Sequence, residues 1–61
     1  MIINVFRDGK INRVHRYVRH VTASPKTFTT LLEITFQDNT KFTDCIDNED
    51  ETFTIRKEFK V

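Results

Sequence analysis

Several stretches of this chain alternate apolar and polar side chains with a period of two. From Glu51 to Val61, Phe53, Ile55, Phe59 and Val61 occupy one parity, interrupted by Lys57, while Thr52, Thr54, Arg56, Glu58 and Lys60 occupy the other. A strand with one face on a core and one in water carries this pattern. Phe28 to Gln37 repeats it, with Phe28, Leu32, Ile34 and Phe36 on one side. Asp38-Asn39 then supplies turn residues before Lys41 to Ile46 resumes as a shorter strand, which predicts a hairpin. Asp47-Asn48-Glu49-Asp50 forms the next turn, so these last three segments predict a β-meander. At the front, Ile2 to Arg7 ends at Asp8-Gly9, a strong two-residue hairpin signal, and a further strand follows from Lys10.

Residues 11 to 22 support two readings. On a helical wheel Ile11, Val14, Tyr17, Val18 and Val21 cluster on one side, with Arg13, Arg16, Arg19 and His20 opposite. As a strand the stretch puts Ile11, Tyr17 and Val21 on one parity and Val14 and Val18 on the other, so it needs a bulge or a bend. Helix propensity is poor throughout, because β-branched and aromatic residues lose rotamer freedom against the preceding turn. Ser24-Pro25-Lys26-Thr27 reads as a turn with Pro second, closing a hairpin between Tyr17 to Ala23 and Phe28 to Gln37. The expected fold is therefore all-β, a five-stranded antiparallel meander closing toward a small barrel. The alternative is α+β, one helix at about residues 11–22 packed on a four-stranded antiparallel sheet.

Composition favours the first. Nine Thr, six Ile and five Val make 20 β-branched residues, joined by six Phe and one Tyr, against four Ala, Leu and Met together. Sixty-one residues allow one small domain, 1–61, with a core at the lower limit of independent stability. Cys45 is the one cysteine, so neither an internal disulfide nor a thiolate zinc site can staple it. Such a domain gains from oligomerising or from binding something larger. No apolar run approaches the roughly 18 residues of a membrane helix, and no signal peptide is recognisable, so a cytoplasmic protein with no membrane partner is expected.

The net charge of +1 conceals a segregation. Residues 1–30 hold six basic groups and one acidic, a balance of +5, and residues 31–61 hold four basic and eight acidic, a balance of −4. Arg7, Lys10, Arg13, Arg16 and Arg19 recur every third position, a pattern that a nucleic-acid-binding module could use on phosphates, with Tyr17 as a stacking face. Their spacing forms a compact stripe only on a helix; on a strand Lys10 and Arg16 point one way and Arg7, Arg13 and Arg19 the other. The near-neutral total also argues against a domain dedicated to nucleic acid.

Asp44, Asp47, Glu49, Asp50 and Glu51 place five carboxylates in eight residues. A helix-loop-helix calcium site would require an oxygen ligand at Ile46 and glycine at Glu49, so the match fails, and a solvated turn that shields neighbouring strand edges is expected. His15 and His20 are five apart with no further ligand beside them, which reads as two ordinary surface or edge histidines. Cys45 has no adjacent base, Ser24 no activating partner, and one Gly cannot build a phosphate loop. No metal, cofactor or enzymatic activity is expected, since so small a core also leaves little room for a water-excluding pocket.

The expectation is a small non-enzymatic binding protein that occupies a surface of a larger protein, in the manner of an inhibitor or adaptor encoded by a mobile element. Contact residues are expected first at Arg13, Arg16, Tyr17 and Arg19, because Arg and Tyr are enriched at binding hot spots, and second at Asp47, Glu49 and Asp50. A homo-oligomer pairing the basic half of one copy with the acidic half of another is a further possibility.

Overall fold

A computed structural model describes residues 1–57, and within them every regular element is a strand. They are β1 (Ile2–Arg7), β2 (Lys10–His15), β3 (Val18–Pro25), β4 (Thr29–Phe36), β5 (Lys41–Asp47) and β6 (Glu51–Arg56). The protein is all-β, with two three-stranded antiparallel sheets: a front sheet ordered β2-β1-β6 and a back sheet ordered β3-β4-β5. The α+β alternative is thereby excluded for residues 11–22.

The strand reading of that segment holds in its bent form. Asp8 (φ 54°) and Gly9 (φ 74°) both take the left-handed backbone that a two-residue hairpin turn requires, joining β1 to β2. A bulge opposite Val5 and Phe6 then lets Ile11 pair with Phe6 while Arg13 pairs with Val5, and Asn12 is the extra residue. After His15 the chain breaks at Tyr17, whose φ of 58° is left-handed, and β3 begins in the other sheet with its own irregularity between Val18 and His20. One long strand is thus divided into two, which makes six strands where the pattern predicts five.

The predicted meander also differs at its end. β4 and β5 form the expected hairpin around residues 37–40, but β6 leaves β5 and pairs with β1, aligning Phe53 with Val5 and Ile55 with Ile3. Asn48 anchors the turn at this point: its N–H donates to Phe28 O at 3.0 Å, its Nδ2 to Lys26 O at 2.9 Å, and its Oδ1 accepts from Thr30 Oγ1 at 2.6 Å. These bonds tie the turn to the β3–β4 connection, and from it the chain enters the front sheet. β5 and β6 share no ladder, so the fold is two stacked sheets and not a closed barrel.

The core lies between the sheets. Ile3 and Val5 from β1 meet Val18, Leu32, Ile34 and Ile46 from the back sheet, and all six are at most 1 % exposed. Met1, Val21, Phe36 and Phe53 pack around them. The Cα envelope measures 35 × 22 × 13 Å, its shortest dimension matching two sheets stacked about 10 Å apart. Leu32, Ile34 and Phe36 face inward as their parity predicts. Phe28 does not: β3 continues through Pro25, the turn falls at residues 26–28, and Phe28 stands 81 % exposed at its tip. Ile55 shares the inward parity yet is 44 % exposed near the end of β6. Of the predicted strand Glu51 to Val61, residues 58–61 lie outside the described residues.

Candidate functional site

The basic run of β2 is divided between the interior and one corner. Arg13 faces inward from beside Val5 and reaches across to the back sheet, where Nε lies 3.1 Å from Asp44 Oδ2 and Nη2 3.0 Å from Asp44 Oδ1. Its Nη1 donates to Glu51 Oε2 at 3.0 Å. Asp44 and Glu51 are buried, at 6 % exposure each. Hydrogen bonding to Asp44 holds the Arg13 guanidinium above its ordinary pKa. Glu51 is held below the usual carboxylate range, first by the Asp47 backbone N–H at 3.1 Å and then by the side chains of Arg13 and Asn12. His15 completes the cluster, with Nε2 2.7 Å from Asp44 Oδ2 and its ring tilted against Phe36 and Phe42.

This arrangement bears on the acidic stretch, on His15 and on the basic run. The acidic stretch is not wholly a solvated turn, because period-two alternation turns Asp44 and Glu51 inward. His15 lies on β2, an edge strand of the front sheet, with its side chain turned toward Asp44. Arg13 is committed to internal carboxylates, and Arg7 lies 3.8 Å from both Asp50 and Glu51. Two members of the basic stripe are therefore neutralised within the molecule, and a continuous phosphate-binding row is not assembled. Lys10 sits at the opposite end of β2 from Arg16, by the Asp8-Gly9 turn.

Arg16, Tyr17 and Arg19 are brought together at the corner where the chain crosses between sheets. Tyr17 is 65 % exposed, although a bulky side chain rarely occupies left-handed backbone. Flanking bonds impose the conformation: Tyr17 O accepts from Gln37 N at 2.8 Å, Val18 N donates to Met1 O at 3.2 Å, and the Met1 amino group donates to Val18 O at 2.8 Å. Arg16, Tyr17, Phe36, Gln37, Asp38 and Thr40 line an open groove of about 420 Å³. Arg19 borders the same β4–β5 turn, donating from Nη1 to Asn39 Oδ1 at 2.6 Å. Among the described residues no ion pair engages Lys10, Arg16 or Arg19. Asp38 keeps its carboxyl ionised below the usual range by accepting from the hydroxyl and then the N–H of Thr40.

The second candidate set lies at the other end of β4. Asp47 caps the turn by accepting from Glu49 N at 3.0 Å, and Asp50 is drawn toward Arg7. Asp47 and Glu49 share a smaller depression with Thr27, Phe28 and Asn48. Phe28 was missed as a surface residue because its parity matches the core face; the signal against it was its position directly after the Pro25 turn. Cys45 is exposed on the outer side of β5. No cluster of three metal-ligating side chains occurs among the described residues.

Searches against family models, curated proteins and solved structures match nothing to this chain. The functional reading rests on the side chains themselves.

Proposed function

We propose that this is a non-enzymatic protein-binding module of the cytoplasm, an inhibitor or adaptor that docks on a larger protein through the Tyr17 corner. The observation that carries the proposal is Tyr17 itself. An aromatic side chain held out in left-handed backbone costs folding energy and contributes nothing to the core, a combination that concentrates at functional sites. Tyrosine and arginine supply large, low-entropy contact area and bidentate donors, so Tyr17 with Arg16 and Arg19 fits a partner surface that carries carboxylates around a pocket for the phenol. Asp38 in the groove favours a partner bearing both signs of charge and disfavours a phosphate backbone.

Immobilised wild-type protein should capture one stoichiometric protein from lysate of the source organism. Tyr17→Ala and the pair Arg16→Glu with Arg19→Glu should lose it, while Phe28→Ser should keep it. Capture that ignores the corner variants would overturn the proposal. So would retention of DNA or RNA at about 50 mM salt that the arginine variants abolish, since phosphate contacts dominate binding there.

A further inference from the structure

The two most exposed aromatic side chains among the described residues are Phe28, at 81 %, and Tyr17, at 65 %. They stand at opposite ends of β4. The eight residues of that strand span about 26 Å, so no side chain at one end reaches the other within a molecule. Each ring is carried on fixed backbone. Bonds to Met1 and Gln37 hold the Tyr17 corner, while Asn48 holds the turn that carries Phe28, where Lys26 N also donates to Thr29 O at 2.7 Å. Rings ordered before contact lose little freedom when they are covered.

Their surroundings carry opposite charge. Beside Tyr17 lie Arg16, Arg19 and one carboxylate, Asp38. Beside Phe28 lie Asp47, Glu49 and one ammonium, Lys26. Among the described residues none of these six charged groups enters an ion pair. The corner offers its groove of about 420 Å³, and the Phe28 end a depression of about 220 Å³ between Thr27, Phe28 and Asn48 with both carboxylates on its lining.

We infer that the Phe28 end of one copy docks on the Tyr17 corner of a second. The inference rests on reading that corner as a docking site, and the occupant is one that the chain itself supplies: carboxylates around a depression for the phenol. The contact brings the two exposed rings together, and an aromatic pair adds to the value of the area it covers. It also sets two unpaired carboxylates toward two unpaired guanidiniums, whose forked donors suit them. Because the two surfaces differ, the contact is heterologous, and copies join head to tail in a ring or an open chain according to the rotation at the contact. A copy docked on the corner excludes the larger partner, so dilution or salt frees the corner for it.

Sedimentation equilibrium from about 10 μM to about 1 mM spans weak and moderate self-association. At about 50 mM salt the average mass of the wild type should rise above one chain as concentration increases, and about 500 mM salt should move that rise to higher concentration, since exposed charges are then screened. Tyr17→Ala removes the ring of the corner, and Phe28→Lys sets a cation toward Arg16 and Arg19. Each should be monomeric throughout with an unchanged far-ultraviolet β spectrum. Mixed in equal amounts, they should form a dimer of one copy of each and nothing larger, because Tyr17→Ala keeps the Phe28 end and Phe28→Lys keeps the corner. Glu49→Lys, at an exposed position, should raise the dissociation constant about tenfold, which reads the contact even where a ring variant unfolds. A wild type that stays monomeric at the highest concentration overturns the inference. So does association that survives Tyr17→Ala, Phe28→Lys or Glu49→Lys unchanged, or a mixture of the two ring variants that stays monomeric. The corner is judged apart from this: Phe28→Lys should still capture the lysate protein, and a monomeric wild type that captures it leaves the corner standing as a docking site.

Discussion

Arg13 on β2 grips Asp44 on β5 through two parallel contacts, Nε to Oδ2 at 3.1 Å and Nη2 to Oδ1 at 3.0 Å, and so bridges the front and back sheets. Its third nitrogen holds Glu51 from β6 at 3.0 Å. One guanidinium thus joins the edge strands of both sheets where β5 and β6 have no ladder between them. The segregation of charge along the chain becomes, after folding, a polar clamp beside a small apolar core.

Removing Arg13 should be far more damaging than its partial exposure suggests. Arg13→Leu leaves two buried carboxylates without their shared cation, and breaking a buried ion pair from one side costs about 3 kcal/mol or more. That is of the order of the whole stability of so small a domain. Urea unfolding should show a largely unfolded variant. Adding Asp44→Leu and Glu51→Gln should restore most of the loss, since the glutamine oxygen can still accept from Asp47 N and no uncompensated charge remains.

Stability should fall on the acid side for an identifiable reason. Glu51 is held below its unfolded pKa, chiefly by the Asp47 N–H, and its contribution is fully present above the unfolded value of about 4.3. It is lost as pH falls through the lower, folded value. Asp38 shifts in the same direction, by accepting from Thr40. Thermal midpoints measured from pH 7 down to about pH 3 should decline mainly below about pH 4.3, and Glu51→Gln should flatten that decline. An equal slope in the glutamine variant would assign acid sensitivity elsewhere.

Gly9 is constrained by its backbone and not by space. Its φ is 74°, and a Cβ added there would meet nothing within 4 Å. Gly9→Ala should therefore cost about 1 kcal/mol through left-handed strain alone, visible as a lower urea midpoint with an unchanged slope. Gly9→Asn should recover part of it, because Asn tolerates that conformation.

How far the sequence could be read follows from which interactions are local. The strands from Phe28 onward and the Asp8-Gly9 turn were legible because period-two alternation and turn chemistry act over neighbouring residues. The pairing of β6 with β1 was not, since it is long-range, as is the anchoring of the preceding turn by Asn48 on Lys26, Phe28 and Thr30, residues 18 to 22 positions away. The acidic stretch was visible as charge, but the inward turn of Asp44 and Glu51 shows only once Ile46 and Leu32 fix the faces. At the site, Arg16, Tyr17 and Arg19 stood out by residue type. Their meeting with Gln37 and Asn39 required a left-handed tyrosine that no local pattern announces.

Tyr17 should separate stability from binding. Its left-handed backbone, at φ 58°, costs a bulky L-residue about 1–2 kcal/mol relative to a residue that tolerates this region. Asn is such a residue, as Asn39 demonstrates in this chain at φ 70°. The phenol is 65 % exposed and takes no part in the core, so its removal forfeits little packing. Tyr17→Asn should therefore raise stability by about 0.5–1 kcal/mol, a gain of a few degrees in thermal midpoint for a domain of this size. Tyr17→Ala, which has a Cβ and no compensating side-chain hydrogen bond, should gain less. Both variants should lose the partner captured by the wild type. A destabilised Tyr17→Asn would mean that the phenol supports the fold, and the case for a surface maintained at the expense of stability would fall with it.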